Sequence, residues 1–414
     1  MDSSSLPDLV RDAFQSGALR CNGSVVRNGS DRELTLSAAG QAALQGVLSR
    51  TAQEACTFEE AALVQLLAFY LIDRGSLSRA VDYATLLHDG PEFMQPAEVS
   101  LEITRLCNLR CLHCYNDSGK RDAAELGSRE KLAMADYLGR WGVRRMSITG
   151  GEPTLDPSFA GLLSLGGEYG ITMKVTTNGW ELPEALLTAI AADTVVHVNV
   201  SLDGADEATH DAFRGRRGSY ARALRSMQIL AECRPRALQL NASIHTISVH
   251  QMQALASLAV EYGFDSVSFK PVTSSGRHDG RVDFLLSPSD LQLFRAERAR
   301  LGAYFAGRLH VEGNILGGGS VPESSLDWIG CNAGERSMLI LSNGKMTPCA
   351  ALNSDAWAPD IRNMSPMHAW LTHPLFMDFR SMKGGAGGTH LGCPGARFAG
   401  AAGLNGDSAL RVLQ

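Results

Sequence analysis

The chain has 414 residues, a formal net charge of −6 and 20% charged residues. That length suggests two or three domains, and the charge leaves no polybasic footprint for nucleic acid or anionic lipid. No apolar run approaches the ~20 residues of a membrane span, and the first residues lack the parts of a signal peptide.

Nine cysteines, odd in number and clustered, fit a reducing cytosol and metal ligation better than a disulfide framework. The expectation is a cytoplasmic protein with neither nucleic acid nor membrane as a partner.

Residues 1–92 read as a separate small domain. Glu33-Leu-Thr-Leu suggests a short strand, followed by an Ala-rich helix from Ser37 to about Leu48. Thr57-Phe-Glu-Glu60 has the form of a capping box. Ala61, Leu63, Leu66, Leu67 and Tyr70 then form an apolar stripe at helical spacing. Cys21 and Cys56 read as ordinary thiols.

Residues 102–115 carry Cys107, Cys111 and Cys114, three cysteines within eight residues. Three thiolates on one short loop can hold three irons of a [4Fe-4S] cube and leave the fourth without a protein ligand. Zinc would need a fourth Cys or His at paired spacing, and no second CxxC pair exists in the chain. His113 lies between two of the thiols and is not expected to bind the same metal.

From about Ala97 strands alternate with helices, which implies parallel strands with crossover helices. Six strands are expected at 98–104, 146–149, 171–178, 195–203, 238–246 and 266–270. Helices fall near 129–141, 158–169, 183–192, 220–233 and 250–262. Several of the strands alternate, as in Val196, Val198 and Val200 against His197, Asn199 and Ser201. One face of the sheet is then apolar and covered by helices while the other is polar, which suggests an open, hydrated cavity for a polar ligand.

Gly150-Gly-Glu-Pro153 follows the second strand, at the carboxyl end where α/β proteins bind ligands. Its glycines allow backbone to approach a ligand closely, while Glu152 and Pro153 fix the turn. Thr177, Asn178, Ser201 and Asp203 end the third and fourth strands, and their groups suit ribose hydroxyls and an amino-acid moiety. Asn241, Ser243, His245 and Lys270 are further lining candidates.

Residues 273–327 read as a linker with a helix from Ser287-Pro-Ser-Asp290, then a Gly-rich loop or lid over 313–320. Cys331 and Cys349 flank Asn343-Gly344, the hairpin signal of a type I′ turn. Cys393 follows in Leu-Gly-Cys393-Pro-Gly-Ala-Arg-Phe.

The cysteine loop resembles the CxxxCxφC signature of radical S-adenosylmethionine (SAM) enzymes, with His113 at the aromatic position. Gly150, Gly151, Glu152 and Pro153 match the motif that meets the SAM amino group in that family. The resemblance implies an α/β fold built on a partial (β/α)6 barrel over residues 93–272, SAM as cofactor, either consumed or regenerated, and a 5′-deoxyadenosyl radical that abstracts hydrogen. It also places a ribose contact at Ser201 and a SAM carboxylate contact at Arg214, with Arg216 and Arg217 as competitors.

The N-terminal module is similar to the winged-helix leader-recognition element of ribosomal-peptide maturases; a plain packing extension is the alternative. Residues 328–414 resemble a twitch/SPASM domain, implying an auxiliary cluster on Cys331, Cys349 and Cys393. Ala396 stands where many relatives have a cysteine, so the fourth iron is either open or bound by another group. The substrate implied is a ribosomally made precursor peptide, with flavodoxin or ferredoxin as reductant. A small molecule such as a tetrapyrrole, and a non-catalytic iron–sulfur sensor, are the other readings.

Overall fold

The computed structural model describes residues 96–272, 276–278, 283–313, 333–334, 336–352, 358–376 and 379, together with parts of 11–50 and residues 60, 63 and 67. Near the N-terminus, β1 (Leu19–Asn22), β2 (Val25–Asn28) and β3 (Glu33–Thr35) form an antiparallel sheet in that order, followed by α1 (Ala38–Ser49). The third strand and the helix lie where the sequence suggested. Thr57 is outside the described residues, and the carboxylate of Glu60 meets Arg50 at 2.7 Å.

The central sheet holds nine strands among the described residues. Six form its middle: β4 (Glu98–Glu102), β5 (Arg145–Thr149), β6 (Thr172–Thr177), β7 (Val195–Ser201), β8 (Ala237–Ile244) and β9 (Ser266–Pro271). Neighbours in this run are parallel throughout. The crossovers contain α2 (Ser128–Trp141), α3 (Phe159–Glu168), α4 (Glu184–Ala191), α5 (Glu207–Arg214), α6 (Ser219–Cys233) and α7 (Met252–Glu261).

The stretch expected to be a linker contributes α8 (Pro288–Tyr304) and β10 (His310–Gly313). The helix starts on a Ser287–Asp290 capping box with Pro288 in its first turn, as its sequence suggested. The strand pairs in parallel with β9 and extends the sheet. Of the Gly-rich loop, Gly313 ends this strand and 314–320 lie outside the described residues.

At the other edge, β11 (Ser337–Ile340) pairs in parallel with β4, and β12 (Met346–Thr347) returns antiparallel. This hairpin was expected, but its turn is not type I′. Gly344 has φ +84° while Asn343 is not left-handed, and Gly344 N donates to Leu341 O at 2.9 Å. A tight turn closed by one left-handed glycine replaces two left-handed residues. A last helix, α9 (Pro366–Thr372), follows.

The expected two-faced sheet is present. Val99, Leu101, Met146, Ile148, Met173, Val175, Val198, Val200, Leu240, Ala242, Val267 and Phe269 enter the core against the helices. The alternation assigned to β7 is one step out at its start. The register shifts between Met173 and Lys174, so Val195 pairs with Met173 and His197 with Lys174. Val195 is therefore buried and Val196 only half-buried. Cys233 is exposed at the end of α6, although its place on an expected helix suggests a core thiol.

One core position on α2 is occupied by a charge. Lys131 is 1% exposed, and its Nζ lies 3.0 Å from Glu125 and 2.6 Å from Asp156. Burial raises the Asp156 pKa, but the Lys131 and Ser158 hydrogen bonds outweigh it and hold the group below its ordinary value. Removing the cation leaves two carboxylates dependent on the more exposed Arg121. Lys131→Met should therefore destabilise the chain by about 3 kcal/mol in urea unfolding near neutral pH, the lower range for breaking a buried ion pair.

Candidate active site

The cysteine loop begins where β4 ends. Thr104 Oγ1 accepts from Leu106 N at 3.0 Å and donates to Glu125 at 3.1 Å, while Arg105 N donates to the same carboxylate. Glu125 is held in turn by Lys131, so the buried pair on α2 fixes the loop's first turn.

The Gly-Gly turn after β5 packs directly on this loop. Gly151 N donates to Thr104 O at 2.7 Å and Glu152 N to Leu106 O at 2.8 Å. A Cβ added at Gly150, whose φ is +154°, would lie 2.5 Å from Thr104 O, and one at Gly151 would lie 2.4 Å from Leu106 O. The expected close approach is real, but its partner is the cysteine loop's own backbone.

Glu152 is 1% exposed. It accepts from the amide and hydroxyl of Thr154, from Thr177 Oγ1 at 2.9 Å and from Asn178 N at 2.7 Å. Burial raises its pKa, against the pull of these donors. Asn178 Nδ2 reaches Asn108 Oδ1 at 2.7 Å and lies 3.9 Å from Cys107 Sγ. Thr177 and Asn178, read as ligand contacts, thus tie the end of β6 to the loop and the turn. Pro153 is buried at the start of the short helical turn that Glu152 caps.

Cys111 is buried, and Cys107 and Cys114 are half-buried. Backbone amides of Leu109 and Ser118 donate to Cys107 and Cys114 sulfurs at 3.4 and 3.2 Å. Burial pushes the Cys107 thiol up, and Cys111 up to about 11, with Arg214 pulling both down. Among the described residues the thiols are not closed into a ligating set. Their chemistry nonetheless fits a three-thiolate iron–sulfur site: all three stand on one loop, each couples to its neighbours, and a guanidinium lies 3.9 Å from Cys111. Bound iron would take these thiols as thiolates, and Arg214 beside Cys111 would lower the cost of the resulting charge.

Asp203 and Arg214 face each other rather than an open pocket. Asp203 is fully buried, its Oδ1 accepts from Ser243 N at 2.8 Å, and its Oδ2 lies 2.5 Å from Arg214 Nε and 3.6 Å from His113 Nε2. Burial raises the carboxyl pKa, but Arg214, His113 and His210 outweigh it and hold the group down at about 2. Of the competing arginines, Arg216 donates to Asn108 O at 2.6 Å and lies 3.6 Å from the Trp180 ring centre, and Arg217 is exposed.

His113 stacks on Phe213 with centroids 4.6 Å apart, and Phe213 stacks on His245 at 4.0 Å. The aromatic position of the motif is therefore the outer layer of a three-ring stack. Ser201 is half-buried at the end of β7 on the polar face. Among the described residues, His197 Nε2, Asn199 Oδ1, Asn241 Oδ1 and His245 Nε2 are buried without a hydrogen-bond partner. Buried polar atoms normally find partners, so these mark a face built for a polar ligand.

Sequence reasoning missed three supports. The first is α5, which carries Phe213 and Arg214; Asp206 caps it by accepting from Thr209 N, and Gly215 ends it at φ +67°. The cap and the glycine were the available signals, on a helix of only eight residues. The second is Arg277, from the expected linker, whose Nη1 donates to Cys111 O at 2.7 Å while its amide donates to Cys114 O at 2.9 Å. The third is Glu102, which accepts from Asn116 at 2.8 Å and from Ser342 in the C-terminal hairpin at 2.9 Å. Of the expected auxiliary ligands, Cys349 is half-buried after β12, whereas Cys331 and Cys393 lie outside the described residues.

Two measurements follow from this geometry. Gly151→Ala should displace Leu106 O, break the Glu152–Leu106 bond and sharply lower iron uptake on reconstitution, read as iron per chain. Asp203 has a depressed folded pKa, so its stabilisation is present above the unfolded value of ~3.9 and lost as pH falls through about 2. That shift corresponds to about 2–3 kcal/mol, so Asp203→Asn should flatten the acid limb of the urea stability curve below about pH 4.

The comparisons agree with this architecture. Residues 101–259 match the Radical SAM superfamily. The mycofactocin maturase MftC of Mycobacterium tuberculosis is 38% identical over 168 residues, 41% of this chain and 43% of that protein. The AdoMet-dependent heme synthase of Methanosarcina barkeri is 28% identical over 198 residues, 48% of this chain and 56% of that one. The chain thus spans roughly half the length of these curated relatives. SuiB of Streptococcus suis bound to S-adenosylmethionine shares the fold over 88% of this chain and 89% of its own, with TM-score 0.59 and 20% identity. The cysteine loop and the Gly-Gly-Glu-Pro turn, locked together on a mostly parallel sheet, both lie in residues 101–259, the part of the chain that matches the radical SAM superfamily.

Proposed function

We propose that this chain is a peptide-modifying radical SAM enzyme acting on a ribosomally synthesised precursor peptide. The observation that carries the reading is the three-thiol loop held by the Gly150–Gly151 backbone beside a polar sheet face with unpartnered buried atoms. A [4Fe-4S] cluster on Cys107, Cys111 and Cys114 supplies, when bound, the electron that cleaves SAM to a 5′-deoxyadenosyl radical able to take hydrogen from a substrate carbon. His113, Ser201, Asp203 and Arg214 surround the SAM side of this space, and Glu152, Thr177 and Asn178 keep the loop in register with it.

The peptide substrate is supported by the relatives. MftC is a maturase by name, and SuiB, whose fold this chain shares, is solved bound to its precursor peptide SuiA. Residues 1–92 serve here as the leader-recognition element, whose sheet β1–β3 offers an edge for an added strand. Residues 328–414 act as a twitch-like domain with an auxiliary cluster on Cys331, Cys349 and Cys393. In support, the hairpin β11–β12 pairs in parallel with β4, the strand that leads into the cysteine loop. A low-potential flavodoxin or ferredoxin supplies the electron.

A tetrapyrrole substrate is the second reading, favoured by the match to the heme synthase. Anaerobic reconstitution, reduction and addition of SAM test the common chemistry. Formation of 5′-deoxyadenosine with about eight irons per chain is expected, falling to about four in Cys349→Ala. Absence of SAM cleavage in a chain with well-formed clusters refutes the enzyme reading. A neighbouring short peptide should raise deoxyadenosine yield and bind residues 1–92; stimulation by a porphyrin instead supports the second reading.

A further inference from the structure

Residues 108–110, the segment between the first two thiols, border an exposed basic surface. Arg216 Nη1 donates to Asn108 O at 2.6 Å, and its guanidinium lies 3.6 Å from the Trp180 ring centre. Arg222, in the first turns of α6, lies 5.0 Å from the same ring. Gly215 packs on Arg110, where an added Cβ would lie 3.3 Å from the arginine's own Cβ. Arg110 Nη1 in turn donates to Ser118 O at 3.3 Å, which brings the surface close to Lys120. Arg110, Lys120, Arg216, Arg217 and Arg222 are all exposed.

The acids around them are few or already engaged. Asp117 and Asp122, near Lys120, are matched by Arg277 at 2.7 Å and Arg105 at 3.6 Å. Asp211 accepts from Ser219 Oγ at 2.8 Å and Tyr220 N at 2.7 Å. With Glu181 and Glu184 after Trp180, three acids stand against five cations. None of the five has an ion-pair partner among the described residues. The whole chain carries −6, so this surface opposes the sign of the molecule.

The surface also touches the thiols' own segment. Trp180 N donates to Asn178 Oδ1 at 2.8 Å, and Asn178 Nδ2 lies 3.9 Å from Cys107 Sγ. Arg216 holds the residue after Cys107, and Arg110 immediately precedes Cys111. Trp and Arg are the side chains enriched among the anchors of protein contacts. Exposed charges of one sign mainly speed encounter with an oppositely charged partner. A small contact guided by charge suits a transient electron-transfer encounter.

We infer that Arg110, Lys120, Arg217 and Arg222, around Trp180 and Arg216, form the docking surface for an acidic protein that carries single electrons at low potential. The carrier loses one electron and the cluster gains it; no bond forms or breaks. The inference rests on the cluster reading above and names where its reductant binds.

The test follows oxidation of flavodoxin hydroquinone, an acidic carrier, by the reconstituted full chain without SAM, using stopped-flow absorbance. Ionic strength is stepped from about 0.01 M to about 1 M, over which the screening length falls from ~30 Å to ~3 Å. If the basic surface guides docking, the second-order rate constant falls with salt. If net charge governs, two acidic proteins repel and the constant rises with salt. A rise, a flat profile or no transfer overturns the docking surface, and this readout needs no variant.

Lys120→Glu/Arg222→Glu should lower the low-salt constant by about tenfold or more, with the gap closing at high salt. Arg140→Glu/Arg145→Glu, exposed where α2 ends and β5 begins, should leave it unchanged. Equal losses in both pairs overturn the surface. So does a double variant at Lys120 and Arg222 that keeps its flavodoxin kinetics but loses peptide stimulation, which assigns the patch to the peptide. Dithionite-driven 5′-deoxyadenosine formation should stay at the unmutated level in both. Dithionite-driven SAM cleavage with a rising salt profile sinks the docking surface and leaves the enzyme reading standing. The expected salt profile without any SAM cleavage does the reverse.

Discussion

The close packing of the Gly150–Gly151 backbone on residues 104–106 is the contact on which the rest of the site depends. Two backbone hydrogen bonds, Gly151 N to Thr104 O and Glu152 N to Leu106 O, form only because neither glycine carries a Cβ. Through them the ends of β4 and β5 become one rigid platform. The cysteine loop leaves this platform in a fixed direction, and Glu152 passes the restraint to Thr177 and Asn178 at the end of β6. Preorganisation of this kind is what the proposed cluster site would need, with its thiols in place before metal arrives.

The platform sits inside a wider electrostatic arrangement. On one side, Lys131, Glu125 and Asp156 hold the loop's first turn from α2. On the other, Asp203 neutralises Arg214 while leaving it 3.9 Å from Cys111. Each charge is buried and paired, so its cost of desolvation is offset locally. The paired Arg214 then serves the thiols without acting as an isolated buried cation. The stack of His113, Phe213 and His245 closes the same region with flat, apolar faces and presents the unpartnered His245 Nε2 within it.

The C-terminal hairpin belongs to the same assembly. Its parallel pairing with β4 brings Ser342 to Glu102, and Arg362 bridges Glu130, Ala124 O and Asn343 O. A segment more than 200 residues downstream in sequence thereby braces the strand that launches the cysteine loop. Arg277 does the same from the other direction, donating to carbonyls of the loop itself. The sheet's middle six strands position the chemistry, and its two edges stiffen it.

Local and periodic features were already legible along the chain: the thiol spacing, the Gly-Gly-Glu-Pro turn one helix and one strand later, the βα alternation, and the division of strands into an apolar and a polar face. These depend on neighbours within a few residues, so a linear reading captures them. Which partner each polar residue takes emerged from the folded chain alone. Glu152, Asn178, Asp203 and Arg214 stood out in the sequence as candidate site residues, but their pairing with one another, and the glycines' contact with backbone instead of ligand, depend on contacts between separate elements. The β7 register shift and the parallel addition of β10 and β11 are set by packing across strands, which leaves no trace in a single segment. Long-range pairing is chosen by the shape and charge of the assembled sheet, and no spacing rule along the chain encodes it.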